Sequence, residues 1–384
     1  MNSYKEIKTS ANRWRKYAGM IILIHFTIIF LLGLSRHWGF ITSINDLGVF
    51  DQAVWGVLHG GFLLNTSQLN QPINWLGFHF HPILFLFVPL YALLPNVIWF
   101  TTAQAFALSI GAWPIFLLAS SVYQSEKAGL IWALVYLLNP FLLSAAAWDF
   151  HPTSLVVPFV AMSMLSIESK NFRLLLLSCL VILSCKEHLG VMVVGFGFLW
   201  WIHNKQWKTG AGLILLGIAY FVLVLKFIMP AFSPTGEHLM LGKGLGHLSR
   251  YSWLGDSLKE IFKTALFQPI FAIKTAMLEM GGAKYLLILI IIFLGFPLAA
   301  PEYLLPGLAD LMANMLSVNP MPRNVFDYHS VCLVPVITVA AVYGAERISR
   351  FKMKFSATEL ASFVFIVSFL GGYFLAPLPL PGAL

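Results

Sequence analysis

Charge is scarce in this chain. Lysine, arginine, aspartate and glutamate make up 10% of its 384 residues, where an ordinary soluble domain carries about 25%. So thin a polar surface excludes a soluble globular protein, a nucleic-acid-binding module and a disordered tail. Cysteine is also rare. Cys179, Cys185 and Cys332 lie in apolar stretches, at spacings that make neither a metal motif nor a disulfide framework. No phosphate-binding glycine loop, dinucleotide fingerprint, zincin helix or nucleophile elbow occurs, which argues against ATP-driven transport and hydride chemistry. Internal repeats, low-complexity tracts and interdomain linkers are absent.

Apolar residues fill the chain instead: 59% are hydrophobic, with 33 Phe, 12 Trp and 12 Tyr. About 20 apolar residues cross a 30 Å hydrocarbon core as a helix, so the length allows ten or so spans and little else. Residues 1–16 form a basic tail with Lys5, Lys8, Arg13, Arg15 and Lys16. The run from Tyr17 to Ser35 is too long for a signal-peptide core and carries no small-residue cleavage site, which predicts a retained first span. Apolar segments recur near 97–122, 128–147, 152–167, 172–185, 189–202, 209–229, 265–281, 284–300, 326–345 and 359–376. The expected fold is therefore an all-α, polytopic bundle of about eleven crossings forming one integral-membrane domain, 1–384. The stretch 80–95, bracketed by Pro82 and Pro95 and broken by Pro89, reads as a re-entrant hairpin.

Charge sets the expected orientation. With the N-terminus in the cytoplasm, Lys127, Lys170, Arg173, Lys205, Lys208, Lys284, Arg347, Arg350, Lys352 and Lys354 fall on the inner side. The net charge of +8 is thus a topology signal and implies no nucleic acid. Most of the eleven histidines then fall on the outer side with the aspartates, and so do two long stretches, 36–79 and 231–264. The second contains Gly242, Gly244, Gly246 and His247.

Six constellations on that side could carry chemistry. In the first outer loop, apolar residues at 47, 50, 54, 57 and 58 have helical spacing. They predict a short amphipathic helix on the membrane surface, with Asp46 at its N-cap and Asp51 further round. His79 and His81 stand two apart at the mouth of the re-entrant segment. They would suit a divalent metal only with a third ligand nearby, and suit a phosphate or a water equally, so no cofactor is assigned. Asp149 and His151 sit between two apolar spans. Lys186 and Glu187 sit at a turn whose two legs, about 21 Å each at 1.5 Å per residue, fall short of the core thickness. That places the turn below the outer surface, where ionisable residues are functional by default. Arg250 with Tyr251, and Arg323 with Tyr328 and His329, put cations where the positive-inside trend does not want them. An arginine fork near carboxylates suits a phosphate or diphosphate. Lone readings remain open: Asp46 could simply cap, Lys186 and Glu187 could pair, and the arginines could face lipid head groups. Together the six suggest a site where a phosphorylated lipid meets a polar acceptor.

The runs NDLGVFDQAVW, FHFHPILFLFVPLYALLP, WDFHPTSL, CKEHLG, SRYSWLG and DYHSVCLVPV resemble, in order and over most of the chain, the bacterial and archaeal family catalogued as domain of unknown function 2079. That family is grouped with the C-type glycosyltransferases, multi-pass membrane enzymes that use polyprenyl-phosphate-linked sugars and carry an acidic residue just after the first span. Asp46 matches that position. The resemblance implies a plasma (inner) membrane protein of a prokaryote, a polyprenyl-phosphate sugar donor, and a glycan, lipid or protein acceptor. The paired acids of some members are here Asp46 and Asp51, five apart, a departure that counts against a two-carboxylate metal site.

The expected activity is glycosyl transfer, with Asp46 as general base and Asp51 its neighbour. His79, His81, Asp149, His151, Lys186, Glu187, Arg250, Tyr251, Arg323, Tyr328 and His329 are the expected substrate and phosphate contacts. The competing expectations are a transporter or flippase of a lipid-linked or small polar solute, and an inactive scaffold of the same fold. A transporter would place polar residues along a path to both faces.

Overall fold

The computed structural model describes residues 2–68, 71–239, 248–351 and 355–376, with side chains from Arg13 onward. Gly242, Gly244, Gly246, His247, Lys352 and Lys354 lie outside the described residues. The chain is helical almost throughout; the described strands are one antiparallel pair, Leu64–Asn65 with Ile73–Asn74.

Four helices are long and apolar enough to cross a membrane: Arg13–Trp38, Ile98–Tyr123, Trp207–Ala231 and Ala357–Leu375. Two further segments are helix pairs broken by a bend. Glu126–Leu137 and Pro140–Ala146 meet at 54°, and Lys259–Phe267 and Pro269–Glu279 at 94°. Each break falls at a proline, which has no N–H to continue the ladder. At the first, the Asn139 side chain accepts from the Phe141 N–H and caps the new helix. Counting each bent pair as one span gives six among the described residues. The other apolar helices, Pro82–Leu93, Pro152–Glu168, Phe172–Leu183, Leu189–Asn204 and Gly282–Ile291, are shorter. The segments expected to cross are thus largely helical, while full spanning length is confined to a few. The stretch 326–345 begins as turns and becomes helix only at Leu333, in Leu333–Ser349.

Lipid-facing character is plain on the N-terminal helix, where Leu23, Ile24, Ile28 and Leu31 are all at least half exposed. Where helices face each other, small residues let the backbones close up, as membrane packing favours. Leu189–Asn204 and Trp207–Leu223 are one example. A Cβ on Gly197 would lie 2.8 Å from the Gly210 carbonyl oxygen, and one on Gly190 2.7 Å from that of Gly217. Both glycine pairs repeat at seven-residue spacing, on one face of each helix.

A second hydrophobic cluster, separate from the main core, forms around the first outer loop. Phe50, Trp75, Leu84, Phe87, Tyr91, Phe100 and Phe150 are all buried in it. The amphipathic helix is Val49–Leu58, with Val49, Phe50, Ala53 and Val54 as its buried face and Leu47, in the turn before it, buried beside them. Its cap is a correction to the sequence reading. Ser43, not Asp46, accepts from the Asn45 N–H, and a turn of π-type over Ile44–Gly48 joins the cap to the helix. Asp46 sits inside that turn.

Candidate functional site

The Asp46 turn is held from outside itself. Asp149 accepts from the Ser43 N–H at 2.6 Å and from the Arg36 guanidinium at 3.4 Å. Arg36 ends the N-terminal helix, so Asp149 ties that helix to the loop that carries Asp46. The 148–151 turn is fixed in its own right by Gln104. The Gln104 amide donates to the Ala145 and Trp148 carbonyls at 3.3 and 3.0 Å, and accepts from the His151 N–H at 3.1 Å. Sequence reasoning passed over Gln104 and Arg36. A buried amide in an apolar span, and a cation at the outer end of the first span, were the signals.

These constraints bring His151 onto Asp46, with Nε2 3.2 Å from Oδ1. His151 Nδ1 faces the Asp149 carbonyl at 3.1 Å and so carries a hydrogen. Burial alone would raise the Asp46 carboxyl, but His151 and the Trp148 indole outweigh it and hold it below its ordinary value. The Asp46 side chain is 27% exposed.

Tyr328 lies flat on His151 with ring centroids 3.7 Å apart, and on its other neighbour, His329, at 4.3 Å. His329 in turn bonds Asp327. Burial keeps the His329 imidazole below its ordinary value although Asp327 pulls the other way. One tyrosine ring thus contacts the imidazoles of two histidine–aspartate pairs.

A second group assembles at the 186–188 turn. The 3-10 turn Pro82–Phe87 is pinned beside it by the Ile83 N–H, which donates to the Ser184 carbonyl. Glu187 accepts from His79 Nδ1 and from the Phe80 N–H, both at 3.0 Å. Burial would raise the Glu187 carboxyl, but His79 and Lys186 beside it hold it well below the usual carboxylate range. Burial likewise outweighs Glu187 at His79, which stays below its ordinary value. The pair is therefore a neutral imidazole donating to a carboxylate. His188 reaches the other way, to Asp310 on Leu308–Leu316, at 3.2 Å. His81 stacks on His79 with centroids 5.3 Å apart. Phe50 bridges the two groups, 5.9 Å from both His151 and His81.

Two cations are left over. Lys186 and Arg250 make no side-chain hydrogen bond or ion pair among the described residues. The Lys186 charge is felt at Glu187 and His329, and that of Arg250 at Tyr328.

The remaining sequence-named residues are engaged elsewhere. Asp51 accepts from the Tyr91 hydroxyl at 2.7 Å. Tyr251 donates to the Ala313 carbonyl at 3.1 Å and fastens the second outer loop. Arg323 donates to the carbonyls of Asn314 and Ser317 and closes the end of Leu308–Leu316. His79, His81 and Glu187 offer ligand atoms within 4.8 Å of one another, the spacing of a metal centre. However, both Glu187 oxygens and His79 Nδ1 are already used in the bonds above.

Comparison with known proteins adds one relationship. Residues 36–379 match the family model described as Predicted membrane protein (DUF2079). No curated protein matches the chain.

Proposed function

This chain belongs to the DUF2079 family of predicted membrane proteins, and we propose that it is a membrane glycosyltransferase of the C-type class. It transfers a sugar from a polyprenyl-phosphate donor to a glycan, lipid or protein acceptor on the outer face of a prokaryotic inner membrane. The observation that carries this reading is the Asp46 carboxylate, held by His151 at 3.2 Å and partly exposed; Lys186 and Arg250, which make no side-chain hydrogen bond or ion pair among the described residues, are the cations this reading assigns to the phosphate.

Each group then has a task. Asp46 takes the proton of the acceptor hydroxyl as general base, from hydrogen-bond distance. The acceptor oxygen bonds to the anomeric carbon as the bond from that carbon to the phosphate oxygen breaks. The electron pair leaves with the lipid phosphate. Lys186 and Arg250 meet the charge that develops there. A single displacement inverts the anomeric centre. In this reading Lys186 and Arg250 supply the positive charge at the leaving group that a metal would otherwise bring.

The topology that goes with this reading has the N-terminus in the cytoplasm, about eleven crossings and a re-entrant 80–95. Support comes from Pro82–Leu93, whose length of roughly 18 Å at 1.5 Å per residue is short of a core of about 30 Å. Cysteine labelling at positions 127 and 205 tests it. Labelling of either from outside reverses the orientation.

The functional test is sugar transfer from polyprenyl-phosphate hexoses in proteoliposomes. Asp46→Asn should lose about 10²–10⁴-fold in rate at unchanged melting temperature, because Ser43 rather than Asp46 caps the turn. Asp51→Asn should keep transfer and lose about 1 kcal/mol of stability, because the Tyr91 hydroxyl then donates to a neutral amide oxygen instead of a carboxylate. Full activity in the Asp46 variant removes it as base. Solute flux without transfer by the wild type makes the protein a transporter, and neither activity leaves a scaffold.

A further inference from the structure

The His79–His81–Glu187 group holds one polar atom that nothing described satisfies. His81 is 3% exposed, and its Nε2 is buried without a hydrogen-bond partner. Its other nitrogen settles which proton it carries. The Trp75 indole Nε1–H donates to His81 Nδ1 at 3.0 Å. An indole nitrogen only donates, so Nδ1 presents its lone pair, and the hydrogen of the neutral ring sits on Nε2.

That tautomer excludes the reading the residue types suggest first. A metal ion needs the lone pair of Nε2, and Trp75 has fixed a hydrogen there. Glu187 accepts one donor at each oxygen, His79 Nδ1–H and the Phe80 N–H, and keeps a lone pair on each for a further donor. What His81 lacks is an acceptor.

The acceptor is not an anion. Glu187, a carboxylate bonded by two donors, shares the site, and a phosphate beside it would face like charge. A neutral hydroxyl suits both partners. It accepts from His81 Nε2–H and gives its own hydrogen to a remaining lone pair of Glu187, since a carboxylate has about four such sites. The group is open on one side, where the His79 and Glu187 side chains are 17% and 13% exposed. The His79 ring lies stacked over His81.

We propose that His81 and Glu187 form a hydroxyl-binding subsite for the sugar ring, with Lys186 and Arg250 left to the phosphate. The assignment rests on the glycosyltransferase reading and divides its substrate into a neutral half and an anionic half. His81 acts as a donor that reads one hydroxyl, and Trp75 is the positioning residue that sets its tautomer.

Two measurements on the full chain in lipid nanodiscs test this. The first is ¹⁵N spectroscopy of labelled histidine, with His81→Asn identifying the signal. The Nε2–H tautomer is expected before any ligand is added, and an Nδ1–H signal overturns the proposal. The second is binding of a panel of methyl hexopyranosides, of inorganic phosphate and of Zn²⁺. Asn at 81 still offers an oxygen to Trp75 but cannot reach as far as Nε2, so the fold should persist at the wild-type melting temperature. Glycoside binding should weaken about tenfold, the size of one hydrogen bond, while phosphate binding stays the same and instead falls in Lys186→Ala. Unchanged glycoside affinity, no glycoside binding to the wild type, or stoichiometric Zn²⁺ binding lost in His81→Asn would each overturn it. His81-dependent glycoside binding without transfer from any lipid-phosphate donor would retain the subsite and reject the transferase. Transfer that survives His81→Asn with unchanged KM would do the reverse.

Discussion

The Tyr328 ring lies flat against the His151 imidazole, 3.7 Å between centroids and 22° from parallel. Contact of that kind fixes the plane of the imidazole, and the plane decides whether Nε2 points at Asp46. Tyr328 contributes a flat face here, and a phenyl ring supplies the same face. Tyr328→Phe should therefore keep sugar transfer within about threefold. Tyr328→Ala frees the imidazole, and a misplacement of about 1 Å at a reacting group can cost about 10²-fold. The measurement is kcat for the two variants side by side. Equal loss in both would assign the hydroxyl, not the ring, the main part.

Gln104 should behave as a structural pin with a catalytic consequence. It satisfies two carbonyls and the His151 N–H. Gln104→Leu fills the space and leaves the Trp148 carbonyl and the His151 N–H unpaired, while the Ala145 carbonyl still accepts from the Trp148 N–H. Each buried unmade bond costs about 1–3 kcal/mol, so the melting temperature should fall by several degrees. Gln104→Glu keeps an acceptor for His151 but loses the amide donors, and should fall between the two. A Leu variant as stable as the wild type would show that water replaces the amide.

Stability should fall in acid through Glu187. Its folded value lies below the ordinary 4.5, so the folded state binds that proton less readily than the unfolded chain. The contribution is then complete above about pH 4.5 and is lost as the pH drops through the lower folded value. Glu187→Gln has no such proton to gain. Its melting temperature should be lower than that of the wild type at pH 7, with the gap closing as the buffer is taken towards pH 4 and below. A gap that widens in acid would reverse the sign and with it the carboxylate assignment.

Apolar runs and scarce charge made the membrane-embedded helical character legible, because burial in lipid is a property of composition. Span length was less legible. Asn139-Pro140 and Gln268-Pro269 break helices that a hydropathy count joins, and an apolar run does not tell a straight rod from a bent one. Within the site, residue types were visible but partnerships were not. Asp149 stood out as a carboxylate on the outer side; that it serves Ser43 and Arg36 depends on contacts over a hundred residues apart. Asp46 was placed at a cap by its spacing, and the cap moved to Ser43 because the entry turn is of the wider π-type. Gln104 was lost among apolar neighbours, although an amide at that depth is costly enough to be a signal by itself.

Phe50 separates the two acid–base groups, 5.9 Å from His151 on one side and from His81 on the other. A benzene ring transmits an electric field and conducts no protons. No hydrogen bond joins His151 to His81 among the described residues, so the described side chains offer no wire between them. A proton taken up at Asp46 has no path to Glu187 along those side chains, and His81 senses the charge of His151 across an insulating wall.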